Sequence, residues 1–235
     1  MTNDNKQMNK LDIVYEDNHI IAVNKTNSEI VQGDKSGDEA LSDKVKAYIK
    51  KKYNKPGDVY LGVVHRIDRP VSGIVLFART SKAATRLSKM FLEKQIKKTY
   101  WAIVKNLPES DHGTLKHYMI KDQEKNRSKA YDTPRKKAKE AILNYKMISS
   151  SANYHLLEID LETGRHHQIR CQLAKIGCPI RGDLKYGAAR SLKGGGINLH
   201  AKRVEFEHPV KKEPVIIDVA PPKEDNLWSE FANVM

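Results

Sequence analysis

Short apolar runs rich in β-branched and aromatic residues recur along almost the whole chain, and turn residues separate them. They fall at residues 12–15, 19–24, 59–64, 74–78, 99–104, 141–148, 154–161, 198–209 and 214–219. Each has the length and composition of a strand. A helical period appears in only a few places. Leu41, Val45, Tyr48 and Ile49 form one apolar stripe; Ala84, Leu87, Met90 and Phe91, behind a Ser81 N-cap, form a second. Ile169, Leu173 and Ile176 form a third inside "RHHQIRCQLAKIG", with Gly177 as its stop, and Trp228 and Phe231 anchor a short last helix. Many strands with few helices between them point to an α+β fold built on a mixed, mainly antiparallel sheet flanked by helices. Within residues 99–104, Tyr100, Ala102 and Val104 share one face.

The chain of 235 residues has no repeat or linker that divides it, so one domain over 1–235, with its core at about 11–220, is expected. Forty-two Lys plus Arg stand against 29 Asp plus Glu, a formal charge of +13. Such an excess favours a polyanion, nucleic acid first. No apolar run reaches the ~20 residues of a membrane span, and the N-terminus has no apolar leader, so a cytoplasmic protein without a membrane partner is expected. Cys171 and Cys178 read as two reduced thiols. His166 and His167, as neighbours on a helix, would point ~100° apart and could not share a metal. Residues 121–139 are polar and basic, and read as an exposed loop or irregular hairpin carrying Lys136, Lys137 and Lys139. Gly194, Gly195 and Gly196 read as a flexible loop, not a phosphate cradle.

The chemistry concentrates in "VHRIDRPVSGIVLFART", residues 64–80. Residues 65–73 fall between two strands, and there Asp68 sits between Arg66 and Arg69 with Pro70 restricting the backbone. An Asp at an X-Pro step often only caps a turn. Two arginines and rigid flanks favour a positioned carboxylate instead. A carboxylate kept charged in a closed site needs a cation, and Arg170, ~100° round the helix from Ile169, can reach a cleft from the edge of the apolar stripe.

"HRIDRPVSG" resembles the HRLDxxTSG signature of the RluA-type pseudouridine synthases. Their other landmarks follow in the same order: "IVYEDNHIIAVNK", "KKTYWAIV", "TGRHHQIRCQLAKIGCPIRGD" with a following "YG", and "LHAKRVEFEHP". The resemblance runs from Leu11 to about Val219. It implies a single catalytic domain of the pseudouridine synthase fold with a central RNA-binding cleft. It also implies uridine isomerisation in a ribosomal RNA or tRNA stem-loop, by a monomer that needs no cofactor and no metal. The form is one without an N-terminal S4 RNA-binding domain. Asp68 matches the family's catalytic Asp, which acts at the sugar C1′ or the base C6 or stabilises charge on the sugar. Arg170 matches the arginine that pairs with it, and Tyr100 the tyrosine that stacks on the uracil and is proposed to help remove the C5 proton. Arg66 matches a side chain that fills the space left by the extruded base. His65, Arg69, Arg165, His167 and Gln168 are expected to contact RNA, with Lys136, Lys137 and Lys139 as an accessory surface.

Ile67, Val71 and His166 depart from the usual leucine, threonine and threonine. Two other classes stand against this reading. One is a catalytically idle RNA-binding or ribosome-assembly protein on the same fold. The other is a metal-dependent hydrolase, for which no second ligand stands at suitable spacing near Asp68.

Overall fold

The computed structural model describes residues 11–34 and 37–232. They form one eleven-stranded mixed sheet with helices on both faces. In chain order the elements are β1 (Ile13–Glu16), β2 (Ile20–Lys25), α1 (Leu41–Lys52), β3 (Gly62–Val63), β4 (Ser72–Ala78), α2 (Ser81–Leu92) and β5 (Lys97–Val104). There follow β6 (His112–Asp122), β7 (Arg127–Tyr131), β8 (Lys139–Ser150), β9 (His155–Leu161), α3 (Gln168–Lys175), β10 (Leu199–Glu207), β11 (Pro214–Asp218) and α4 (Asn226–Ala232). The sheet order is β1-β2-β4-β10-β5-β9-β8-β6-β7, with β3 on β4 and β11 on β10. Every pairing between these strands is antiparallel except β4 with β10.

Burial follows the strand period. All seven residues of β4 are buried, so it carries apolar groups on both faces. Val75 and Phe77 join Ile21 and Val23 under α1, while Ile74, Leu76 and Ala78 join Ile20 and Ala22 under α2. On β5, Tyr100, Ala102 and Val104 face the first cluster with Ile169 and Leu173 of α3, and Trp101 and Ile103 face Trp228 and Phe231 of α4. Helices α1 and α3 therefore cover one face, and α2 and α4 the other.

Several expectations shift. Only Gly62–Val63 of the run at 59–64 pairs as a strand. The N-cap of α2 is Thr80, whose hydroxyl accepts the Ala83 N–H at 3.2 Å, and not Ser81. The basic run at 121–139 is an ordered hairpin: β6 extends to Asp122, and β7 pairs with it over five positions. Ser128 and Ala130 of β7 are buried, which a polar run does not reveal. Most of β6 itself escapes the sequence pattern. The Gly194–Gly196 turn is tied down, because Ser28 Oγ donates to the Gly194 carbonyl at 2.7 Å. Both cysteines are free thiols, and no described helix is long and apolar enough to cross a membrane.

α3 starts at Gln168, three residues later than its apolar period suggests. His167 adopts the left-handed conformation with φ 53°. The Gln168 side chain holds the preceding turn, its Oε1 accepting the Thr163 hydroxyl at 2.7 Å and the Arg165 N–H at 2.9 Å. His166 and His167 are consequently off the helix, and their rings stack at 3.8 Å instead of diverging.

Candidate active site

Residues 64–71 lead into β4 beside the parallel β4–β10 contact. Gly73 makes that approach possible: its φ is +112°, and a Cβ there would lie 2.3 Å from the Ala201 carbonyl oxygen. The neighbouring Ser72 hydroxyl meets His200 Nδ1 at 2.9 Å, locking the two strands again. Ile67 and Val71 are both buried in the cluster under α1 and α3. Val71 thus serves as packing where a hydroxyl would be wasted. Between those two anchors, Asp68 emerges with 28% of its side chain exposed.

The loop backbone is pinned from behind. Lys25, 1% exposed, ends β2 and donates from Nζ to the carbonyls of Thr26 (2.9 Å), Glu29 (2.9 Å) and Arg69 (3.1 Å). Ser28 N–H also reaches the Arg69 carbonyl at 3.0 Å, and Ile197 N–H reaches that of Pro70 at 3.0 Å. Burial lowers the Lys25 pKa to about 7, against the opposing pull of Glu29 and Asp68. Sequence reasoning missed this lysine. Its only signal is a charged residue closing an otherwise apolar strand.

Arg170 holds two carboxylates at once. Its Nη1 donates to Asp68 Oδ2 at 2.9 Å, while Nε and Nη2 grip Asp183 Oδ2 and Oδ1 at 2.7 and 2.9 Å. Arg170 is 4% exposed and Asp183 1%. Burial works against the guanidinium charge, but the Asp183 and Asp68 carboxylates outweigh it and raise the Arg170 pKa. The bidentate fork to Asp183 fixes the guanidinium plane, so the remaining Nη1 aims at Asp68. Asp183 lies in the "GD" ahead of the "YG", and pairing could not be read from that position alone.

Tyr100 packs partly against the apolar cluster, near enough to Asp68 to feel its charge. Burial, with a contribution from Asp68, raises its pKa. A phenol pushed upward is a poor base. Arg66 is exposed and makes no hydrogen bond or ion pair with any described residue. Arg69 is turned back, donating to Ser28 O at 3.1 Å and Asp38 Oδ2 at 2.5 Å. Arg165 is exposed and donates from Nε to the Glu140 carbonyl at 2.8 Å. Lys136, Lys137 and Lys139 are all exposed at the turn from β7 to β8.

Three residues expected at the RNA surface face inward. His65 Nε2 accepts the Leu76 N–H at 2.8 Å, and its ring stacks on Phe91 at 4.7 Å. Gln168, 3% exposed, spends its amide on Thr163, Arg165 and the Ile142 carbonyl. His167, 9% exposed, lies with Nδ1 at 3.0 Å from the Tyr186 hydroxyl and Nε2 at 3.6 Å from Asp68 Oδ2. His65 and Gln168 face inward because a buried polar group satisfies neighbouring backbone when it loses its water, whereas His167 meets two side chains. Among the described residues, no cluster of three His, Cys, Asp or Glu side chains is placed to hold a metal.

The model for RNA pseudouridylate synthase matches residues 19–175. The chain belongs to that family. Its members are isomerases of uridine in RNA. The ribosomal large subunit pseudouridine synthase D of Xylella fastidiosa is 34% identical over 230 residues, covering 92% of this chain and 67% of its own. A tRNA pseudouridine synthase C of Vibrio parahaemolyticus is 28% identical, and the match covers 94% of each chain. The corresponding protein of Pectobacterium carotovorum is 30% identical, and the match spans 59% of its length. Among solved structures, human RNA pseudouridylate synthase domain containing 4 superposes with a TM-score of 0.77 over 93% of this chain and 92% of that one, at 22% identity. The family's fold is therefore the fold of this chain.

Buried neutral histidines give this family member a defined acid response. Burial lowers the pKa of His65 and His200 to about 4 and that of His167 to about 2, from 6.5. Depressed histidines contribute fully above pH 6.5, and the contribution is lost as pH falls toward 4, because the unfolded chain takes up protons the native state refuses. Each costs about 1.4 kcal/mol per pH unit in that window. The urea midpoint is expected to fall clearly between pH 7.5 and pH 5.0. A midpoint that stays level would show that these rings are protonated in the native state.

Proposed function

We infer that the protein converts specific uridines of ribosomal RNA or tRNA to pseudouridine, with Asp68 as the essential carboxylate and the target base turned out of its stack. One observation carries this reading: a carboxylate, partly exposed between two buried anchors, is held by an arginine whose plane Asp183 fixes, beside the ring of Tyr100. The reaction breaks the N1–C1′ bond, turns the base and joins C5 to C1′, so no electrons or atoms are lost from the RNA apart from exchange of the C5 proton. A positioned carboxylate and a stacking ring meet those needs. Lys136, Lys137 and Lys139 present exposed positive charge at the turn from β7 to β8 and hold the RNA backbone, which positions the substrate without specifying it. Relatives named for ribosomal RNA and for tRNA support both substrate classes.

RNA carrying 5-tritiated uridine tests the activity. Tritium release is expected, together with a pseudouridine that disappears from cellular RNA when the gene is removed and returns with it. RNA that binds but never releases tritium, with an unchanged map, would establish the idle binding protein instead.

In this reading the exposed Arg66 fills the vacated gap. Extruding a stacked base costs a few kcal/mol, and a flat guanidinium recovers part of it. Arg66→Ala is expected to slow turnover roughly tenfold or more on a stem-loop, with much of the loss relieved when the target uridine is mismatched. Equal impairment on both RNAs, growing with salt, would make Arg66 an ordinary phosphate contact.

A further inference from the structure

Ser128, His166, His167 and Tyr186 form a polar cluster that links the β6–β7 hairpin to Asp68. The Tyr186 hydroxyl accepts the Ser128 N–H at 2.8 Å and faces His167 Nδ1 at 3.0 Å. With the Ser128 N–H already donated to that oxygen, the hydroxyl proton is free for Nδ1, and in that arrangement a neutral His167 carries its proton on Nε2. Nε2 itself lies 3.6 Å from Asp68 Oδ2. Burial and the nearby Arg170 charge both keep the ring neutral. The ring cannot swing, because His166 stacks on it at 3.8 Å and is itself fastened, Nδ1 lying 2.9 Å from Ser128 Oγ. Tyr186 is pinned in turn, with the guanidinium groups of Arg127 and Arg170 over its ring at 5.0 and 5.2 Å.

We propose that His167 is a positioning residue for Asp68, its Nε2–H tautomer set by Tyr186, and that the hydrogen bond from Ser128 ties this clamp to the basic hairpin. Arg170 approaches Asp68 Oδ2 from one side and His167 from another, so the two donors together define one carboxylate rotamer. At 3.6 Å the His167 contact is longer than a hydrogen bond, and the clamp requires it to shorten by a few tenths of an ångström in the RNA complex. A carboxylate aimed along one direction reacts faster than one that rotates, and the gain falls on turnover, not on RNA affinity.

This inference rests on Asp68 being the reacting group. The asparagine amide nitrogen occupies the place of Nδ1 and falls short of Asp68; the glutamine amide nitrogen occupies the place of Nε2 and can still donate to it. His167→Asn is therefore expected to lower the single-turnover rate at saturating RNA roughly ten- to hundredfold with RNA affinity unchanged, whereas His167→Gln stays near the parent rate. Tyr186→Phe, which keeps the ring and frees the tautomer, is expected to fall between them. An Asn variant at the parent rate, a Gln variant as slow as the Asn one, or a loss confined to RNA affinity would overturn the clamp. Long-range proton–nitrogen spectra of the unaltered protein read the tautomer without any variant: Nε2–H supports the proposal, and Nδ1–H overturns it. If the unaltered protein releases no tritium from any RNA, the proposed activity fails, while the tautomer spectrum still decides the geometry.

Discussion

Asp68→Asn is expected to reduce pseudouridine formation by at least about four orders of magnitude while the protein keeps its fold and its RNA affinity. The amide matches the carboxylate in shape and loses both its charge and its nucleophilicity. Structure explains why the fold should survive. Asp68 is partly exposed, and the buried end of the Arg170 network is Asp183, which keeps its two hydrogen bonds when Asp68 is replaced. Ile67 and Val71 stay buried on either side and continue to hold the loop. Tritium release, thermal melting and RNA binding on one preparation separate the possibilities. Turnover near the parent rate would remove Asp68 from the chemistry, and a collapsed melting temperature would assign it to the fold.

Arg170→Ala is expected to damage stability as well as activity, and stability by the larger measurable amount. The substitution leaves Asp183 buried with no cation, and breaking a buried pair in this way costs about 3–5 kcal/mol. It also removes the guanidinium hydrogen bond to Asp68. Arg170→Lys should recover part of the stability but little of the turnover, because an ammonium is a point charge and cannot present three donors in one plane. Urea denaturation of both variants, read beside tritium release, checks this. A lysine variant with parent activity would show that charge alone suffices and that the Asp183 fork has no orienting role.

Asp68, Tyr100 and Arg170 stand out in the sequence because they match the family's motifs, and the strands and helices that carry them follow from apolar periodicity. Less legible is where each buried polar side chain finds its partner. His65, His167 and Gln168 sit in a motif rich in polar groups and read as RNA contacts; in the fold His65 and Gln168 bond the backbone of Leu76 and Ile142, and His167 lies between Tyr186 and Asp68. Thr80 took the cap expected of Ser81 because two neighbouring hydroxyls compete for one N–H. The β6–β7 hairpin was hidden because its outward residues are charged and only Ser128 and Ala130 of β7 are buried.

By itself the sequence determined the alternation of strands and helices, the positive charge, the loop that carries Asp68 and the family to which these motifs belong, since all of these depend on residue order and local period. Tertiary structure alone decided which groups meet. Lys25 reaches the Arg69 carbonyl 44 positions away, and Asp183 orients an arginine that serves Asp68 across 102 positions. Such contacts are set by sheet order and by the cost of leaving a buried charge or carbonyl unpartnered, a constraint that acts through space and leaves no period along the chain.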